Sequence, residues 1–157
     1  MIFSEIRLPA NPEGLAPLTL EQVWQGLEQK ARDAVPYVEA ITSCRVIAEE
    51  SDTVFDREIE LGGARYLERV RLGAPRLVVF TRLDGPVLGT ITNEIIDDDG
   101  ELGLRFQFAL TARPGNELPV SETELAVQMT SAYQVAVETT LAAVRAELAG
   151  TGAGGTR

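Results

Sequence analysis

A chain of 157 residues, 45% hydrophobic and 24% charged, is sized for one globular domain with a single core, and its 24 acidic against 14 basic residues argue against nucleic acid or an anionic membrane surface as partner. It contains no histidine, which excludes a Ser-His-Asp triad, a Cys-His nucleophile pair and a histidine zinc site. Its single cysteine, Cys44, excludes an internal disulfide, and no stretch reads as a signal peptide or a membrane span, so a cytoplasmic location is expected.

In chain order, Ile2, Ser4, Ile6 and Leu8 alternate with Phe3, Glu5 and Arg7 as a first strand, which Pro9 and Pro12 end. Thr19 with Gln22 forms a capping box, after which Leu20, Val23, Trp24, Leu27 and Ala31 give a helix with one buried face and a small penalty at Gly26. Asp33–Ala40, with Pro36 near its start, is expected to form a second short helix.

From Ser43 the period becomes strand-like. Cys44–Glu49, Val54–Leu61, Arg65–Leu72, Leu77–Leu83, Thr90–Asp97 and Leu102–Thr111 are separated by short turns, which force consecutive antiparallel pairing. A second capping signal, Ser121 with Glu124, opens a long helix to about Ala149, and a flexible tail is expected over 150–157. Ala126, Met129, Tyr133, Val137, Thr140, Leu141, Val144 and Leu148 form its apolar stripe. At 1.5 Å per residue this helix is roughly 40 Å long and needs an extended apolar surface, which only the strands supply. The expected fold is α+β: a seven-stranded curved antiparallel sheet around a long C-terminal helix, with two short helices after the first strand, in one domain over 1–149.

Side-chain alternation defines an inner face. Leu102, Leu104, Phe106, Phe108 and Leu110 form an apolar row, Ile91 and Ile95 place Asn93 inside, Phe55, Ile59 and Leu61 place Arg57 inside, and Val70 and Leu72 place Glu68 and Tyr66 inside. Leu77–Leu83 is apolar in both parities, and Val78 and Phe80 are taken as inward. Arg57, Glu68 and Asn93 are therefore polar groups on an apolar face. They pair across strands, Arg57 with Glu68, or lie on a face partly solvated at the sheet edge, or line a cavity where they orient the polar group of an apolar ligand. A carboxylate beside an arginine has a lowered pKa, which suits charge pairing better than general-acid work.

Other candidates carry less. Asp97-Asp98-Asp99-Gly100-Glu101 fails as a calcium loop, because aligning Gly100 with the loop glycine puts Ile95 and Phe106 where carboxylates are needed, and it reads as a solvated turn. Gly62-Gly63 lacks the lysine and helix of a phosphate loop and reads as a hairpin turn. Cys44, at a strand start, reads as an inert small hydrophobe, and Trp24, Met129 and Tyr133 as core residues before ligand contacts.

The order strand, two helices, six antiparallel strands and a long terminal helix resembles the helix-grip fold of the START, polyketide cyclase and birch-pollen-allergen superfamily (SRPBCC). Leu18-Thr-Leu-Glu-Gln-Val-Trp-Gln-Gly-Leu, Lys30-Ala-Arg-Asp, Ile41-Thr-Ser-Cys-Arg-Val, Arg57-Glu-Ile, Leu67-Glu-Arg-Val, Ile91-Thr-Asn-Glu-Ile and Asp99-Gly-Glu-Leu resemble its AtaL-like subgroup. The resemblance implies a deep cavity between sheet and terminal helix, used across the superfamily for lipids, sterols, flavonoids or polyketides. The leading expectation is a protein that binds a small hydrophobic ligand with Leu27, Arg57, Ile59, Glu68, Val70, Phe80, Ile91, Asn93, Ile95, Phe106, Phe108, Met129, Tyr133 and Val137, without cofactor or metal, as a monomer or homodimer. One alternative is a cyclase or aromatase in which Arg57 polarises a carbonyl and Glu68 moves a proton. Another is a protein-interaction module that uses an exposed edge strand.

Overall fold

The computed structural model describes residues 1–155, with side chains described through Gly150; Thr156 and Arg157, the end of the expected tail, lie outside the described residues. The elements are β1 (Ile2–Pro9), α1 (Leu20–Arg32), β2 (Ile41–Ser51), β3 (Val54–Leu61), β4 (Ala64–Gly73), β5 (Leu77–Asp84), β6 (Val87–Asp98), β7 (Glu101–Ala112) and α2 (Glu122–Gly155). The strands form one antiparallel sheet in the order β1-β7-β6-β5-β4-β3-β2. Two-residue turns set this meander: Gly62 and Gly63, and likewise Asp99 and Gly100, have positive φ, the conformation that turns a hairpin without splaying its strands.

One expectation is corrected. Residues 33–40 form turns, not a second helix. Asp33 leaves α1 in an extended conformation, and the segment keeps only isolated bonds, from Tyr37 N and Val38 N to Ala34 O and from Ile41 N to Val38 O. Pro36 contributes no amide and disfavours helical geometry at Val35, so the eight residues hold two short turns instead of a helix.

The two capping signals differ in outcome. Thr19 has the full reciprocal box, its hydroxyl accepting from Gln22 N at 3.2 Å while Gln22 Oε1 accepts from Thr19 N at 2.9 Å. At Ser121 only the hydroxyl arm is made, to Glu124 N at 3.1 Å. α2 runs on to Gly155, past the expected end at Ala149. Of its stripe, Val137, Thr140, Leu141 and Val144 are fully buried, as is neighbouring Ala136; Met129 and Tyr133 are half-buried, and Leu148 is exposed.

α1 packs closely on α2 at Gly26. A Cβ there would stand 2.4 Å from Val144 Cγ2, so the glycine that weakens the isolated helix is what lets the two helices meet. Arg145 of α2 anchors the 10–18 loop by donating to the carbonyls of Ala16 and Ala10 at 2.8 and 2.6 Å. The core is the inner face of the sheet against α1 and the middle of α2, with Ile2, Leu104, Leu110, Phe106 and Phe55 almost wholly enclosed. Among the described residues no helix is long and apolar enough to cross a membrane.

Candidate functional site

The inner face carries a row of charge across three strands. In register, Arg57 of β3 stands opposite Glu68 of β4, and Glu68 stands opposite Arg82 of β5. Arg57 donates from Nε to Glu68 Oε1 at 2.9 Å, with Nη2 at the same distance in the ion pair, and Arg82 donates from Nε to Oε2 at 3.2 Å. All three are buried, Glu68 to 1% exposure. Burial alone would raise the Glu68 carboxyl, but the two guanidiniums outweigh it and hold Glu68 below the usual carboxylate range. Glu68 is therefore ionised at neutral pH.

Arg57 also ties the sheet to α1. Its Nη1 donates to the carbonyls of Ala31 at 2.9 Å and Lys30 at 3.2 Å, the free acceptors and negative dipole end of that helix. Its guanidinium lies over Phe80, 4.6 Å from the ring centroid, and Arg82 lies 4.2 Å from the centroid of Tyr66.

Lys30, in the last turn of α1, points inward and is 6% exposed. Its Nζ donates to Asn93 Oδ1 at 2.7 Å and lies 4.7 Å from the Phe106 centroid. Burial, aided by the positive charge of Arg57 and opposed by Glu68, pulls its pKa down to about 7. Asn93 is 1% exposed, and its Nδ2 has no hydrogen-bond partner among the described residues. Tyr133 packs on Phe108 and Phe106 with centroids 5.2 and 6.4 Å apart, and burial chiefly pushes its phenol up to about 12.

These groups border a cavity of about 130 Å³ between sheet, α1 and α2. Eight of the residues expected from sequence line it: Arg57, Ile59, Glu68, Phe80, Ile91, Asn93, Met129 and Tyr133. The other six, Leu27, Val70, Ile95, Phe106, Phe108 and Val137, pack in the surrounding core without bordering it, Phe106 and Phe108 behind the Tyr133 ring. The cavity's mouth lies between the 33–40 turns and α2, where Val38, Ala40, Ala132 and Ala136 also line an outer cleft.

Sequence reading missed Lys30 and Arg82. Arg82 has the parity of Val78 and Phe80, a signal hidden because β5 is apolar on both faces. Lys30 continues the Val23, Leu27 spacing of the buried face of α1, but a lysine in a last helical turn reads as a solvated cation favourable to the dipole. Arg57–Glu68 pairing and cavity lining, posed as alternatives, coexist. No metal-binding group of three acidic or cysteine residues occurs among the described residues.

An open antiparallel sheet curled against a long terminal helix, with a cavity between them, defines an α+β protein of the helix-grip class. Residues 5–151 match the family described as AtaL, acetylaranotin biosynthesis cluster protein L, and the chain belongs to that family. Comparison with curated proteins returns no match. Among solved structures, the two-domain aromatase/cyclase StfQ of the steffimycin biosynthetic pathway matches with a TM-score of 0.71 at 11% identity, over 95% of this chain and 52% of StfQ. A START superfamily protein from Mycobacterium smegmatis matches with a TM-score of 0.63 at 12% identity, over 91% and 95% of the two chains. The protein TTHA0849 from Thermus thermophilus gives 0.61 at 16% identity, over 96% and 97%. At these identities the likeness is one of fold.

Proposed function

We propose that this protein binds a small hydrophobic molecule in the cavity between the sheet and α2. The observation that carries this reading is an apolar cavity containing a few fixed polar groups, the composition of a ligand site rather than of a dry core. Arg57 and Arg82 are served by Glu68, but Lys30, bonded only to a neutral amide among the described residues, and Asn93, with an unpartnered Nδ2, are costly in a dry core unless something uses them. At about 130 Å³ the cavity is close to the ~150 Å³ apolar cavity known to accept benzene, so its inner part suits one ring or a short chain, with the rest of a longer molecule in the outer cleft.

The polyketide cyclase-type reading rests on the shared fold with StfQ and on the same cavity. Its expected acid and carbonyl-polarising groups are poorly placed for those tasks. Glu68 is ionised between two arginines, and Arg57 commits Nε, Nη1 and Nη2 to Glu68 and the end of α1. Both act as scaffolding for the cavity wall in the binding reading.

Native mass spectrometry of freshly purified protein, followed by solvent extraction, tests the reading. The expected result is a defined small-molecule adduct that is lost on denaturation, or one that forms on incubation with small aromatic or short-chain compounds. A bare mass under both conditions would overturn it and favour a protein-interaction module acting through an edge strand, β1 or β2.

A further inference from the structure

The cavity encloses three basic side chains, Lys30, Arg57 and Arg82, and a single carboxylate, Glu68. Glu68 serves both arginines and, among the described residues, Lys30 has no counter-ion and a single hydrogen bond, to the neutral amide of Asn93. The amide has its own deficit, because Nδ2 of Asn93 is an enclosed donor with no acceptor. Two residues that line the cavity, bonded to one another, therefore carry donor capacity that their described neighbours meet with neither a negative charge nor a free acceptor. An orphaned buried donor bears the full penalty of its lost hydration, so an oxygen acceptor in the cavity relieves both.

Building on the binding reading, we infer that the ligand is an apolar carboxylate, its acid group held by Lys30 Nζ and Asn93 Nδ2 at the closed end of the cavity and its apolar part directed toward Met129 and the mouth. A carboxylate fits because its two oxygens accept from two separate donors at once and its charge completes the balance that Glu68 leaves open. Neighbouring charges agree with this: Arg57 and Arg82 add positive potential, Glu68 is neutralised by them, and Tyr133 is uncharged at neutral pH. The rings of Phe80 and Phe106 flank Lys30 and exclude water from the pair, which strengthens it.

The test is calorimetric titration of the full chain with benzoate and with benzyl alcohol, two probes of one ring and nearly equal size that differ in charge. Benzoate is expected to bind about tenfold to a hundredfold more tightly at pH 7, the range of one charge-assisted hydrogen bond, and Lys30→Met to abolish that preference while still binding benzyl alcohol. A second readout needs no variant. At pH 8 Lys30 is mostly neutral, so benzoate binding should draw a proton onto it, seen as a heat that varies with the buffer's ionisation enthalpy, whereas benzyl alcohol should draw none.

Equal affinity for the two probes, or a preference for benzoate that persists in Lys30→Met, would overturn the carboxylate assignment and leave the binding reading standing. Binding of neither probe would count against the cavity as a site and would overturn both.

Discussion

Glu68→Gln is the sharpest test of how the site is built. The substitution keeps the shape of the side chain and removes the one negative charge that Arg57 and Arg82 share, leaving two guanidiniums and Lys30 together in an enclosed space. Removing one partner of a buried pair costs about 3–5 kcal/mol, and sharing between two arginines places this case toward the upper end. Domains of this kind unfold with about 5–15 kcal/mol, so the loss is a large part of the whole. At about 2–4 °C per kcal/mol for a chain of this length, the midpoint of thermal unfolding should fall by roughly 6–20 °C.

Denaturant titration followed by the fluorescence of Trp24, the single tryptophan and a buried one, reads the change directly. Replacing all three groups with apolar residues (Arg57→Met, Glu68→Leu, Arg82→Met) should recover most of the loss, because the two guanidiniums that Glu68→Gln leaves unpaired are then gone, while Lys30 keeps its bond to Asn93. A Glu68→Gln protein within about 1 kcal/mol of wild type would refute the reasoning, since it would mean the arginines find water or another partner in the folded state.

Lys30 predicts an unusual pH dependence. Its pKa is about 7 folded and near 10.5 unfolded, so between those values the unfolded chain binds more protons and stability rises with pH, by up to about 1.4 kcal/mol per unit for one proton. Stability should climb from pH 7 to about 9.5 and the Lys30→Met variant should lack the climb; above pH 10 the raised phenol of Tyr133 reverses the sign. Glu68 acts at the acid end, its lowered pKa giving stability that is complete above the ordinary carboxylate range and is lost as pH falls through the folded value. Gly26→Ala, which would favour an isolated helix by about 1 kcal/mol, should instead destabilise by about 1–3 kcal/mol through the clash with Val144, and Val144→Ala should relieve part of that loss. Thr19→Ala should cost about 1 kcal/mol and Ser121→Ala less, because only the first cap is reciprocal; paired unfolding curves decide it.

Much of this protein is written locally. Alternation with period two, interrupted by Gly62-Gly63, Asp99-Gly100 and the other short turns, determines seven strands, their antiparallel order and the inward placement of Arg57, Glu68 and Asn93, because a strand's two faces are fixed by the pleat and a tight turn leaves no choice of partner. Capping at Thr19 and Ser121 marks where both helices begin. Tertiary structure alone decided the rest. The turns at 33–40 are the exception, since Pro36 acts there locally, by its missing amide and its restraint on Val35. Arg82 joined Glu68 only through the β4–β5 register, and Lys30 met Asn93 from 63 residues away, so its meaning changed from a solvated helix-end cation to an enclosed amine. Whether a polar residue on an apolar face is paired, orphaned or beside a void depends on what the opposite layer leaves unfilled, and that is set by how α1 and α2 pack through Gly26 and Val144 rather than by any one segment.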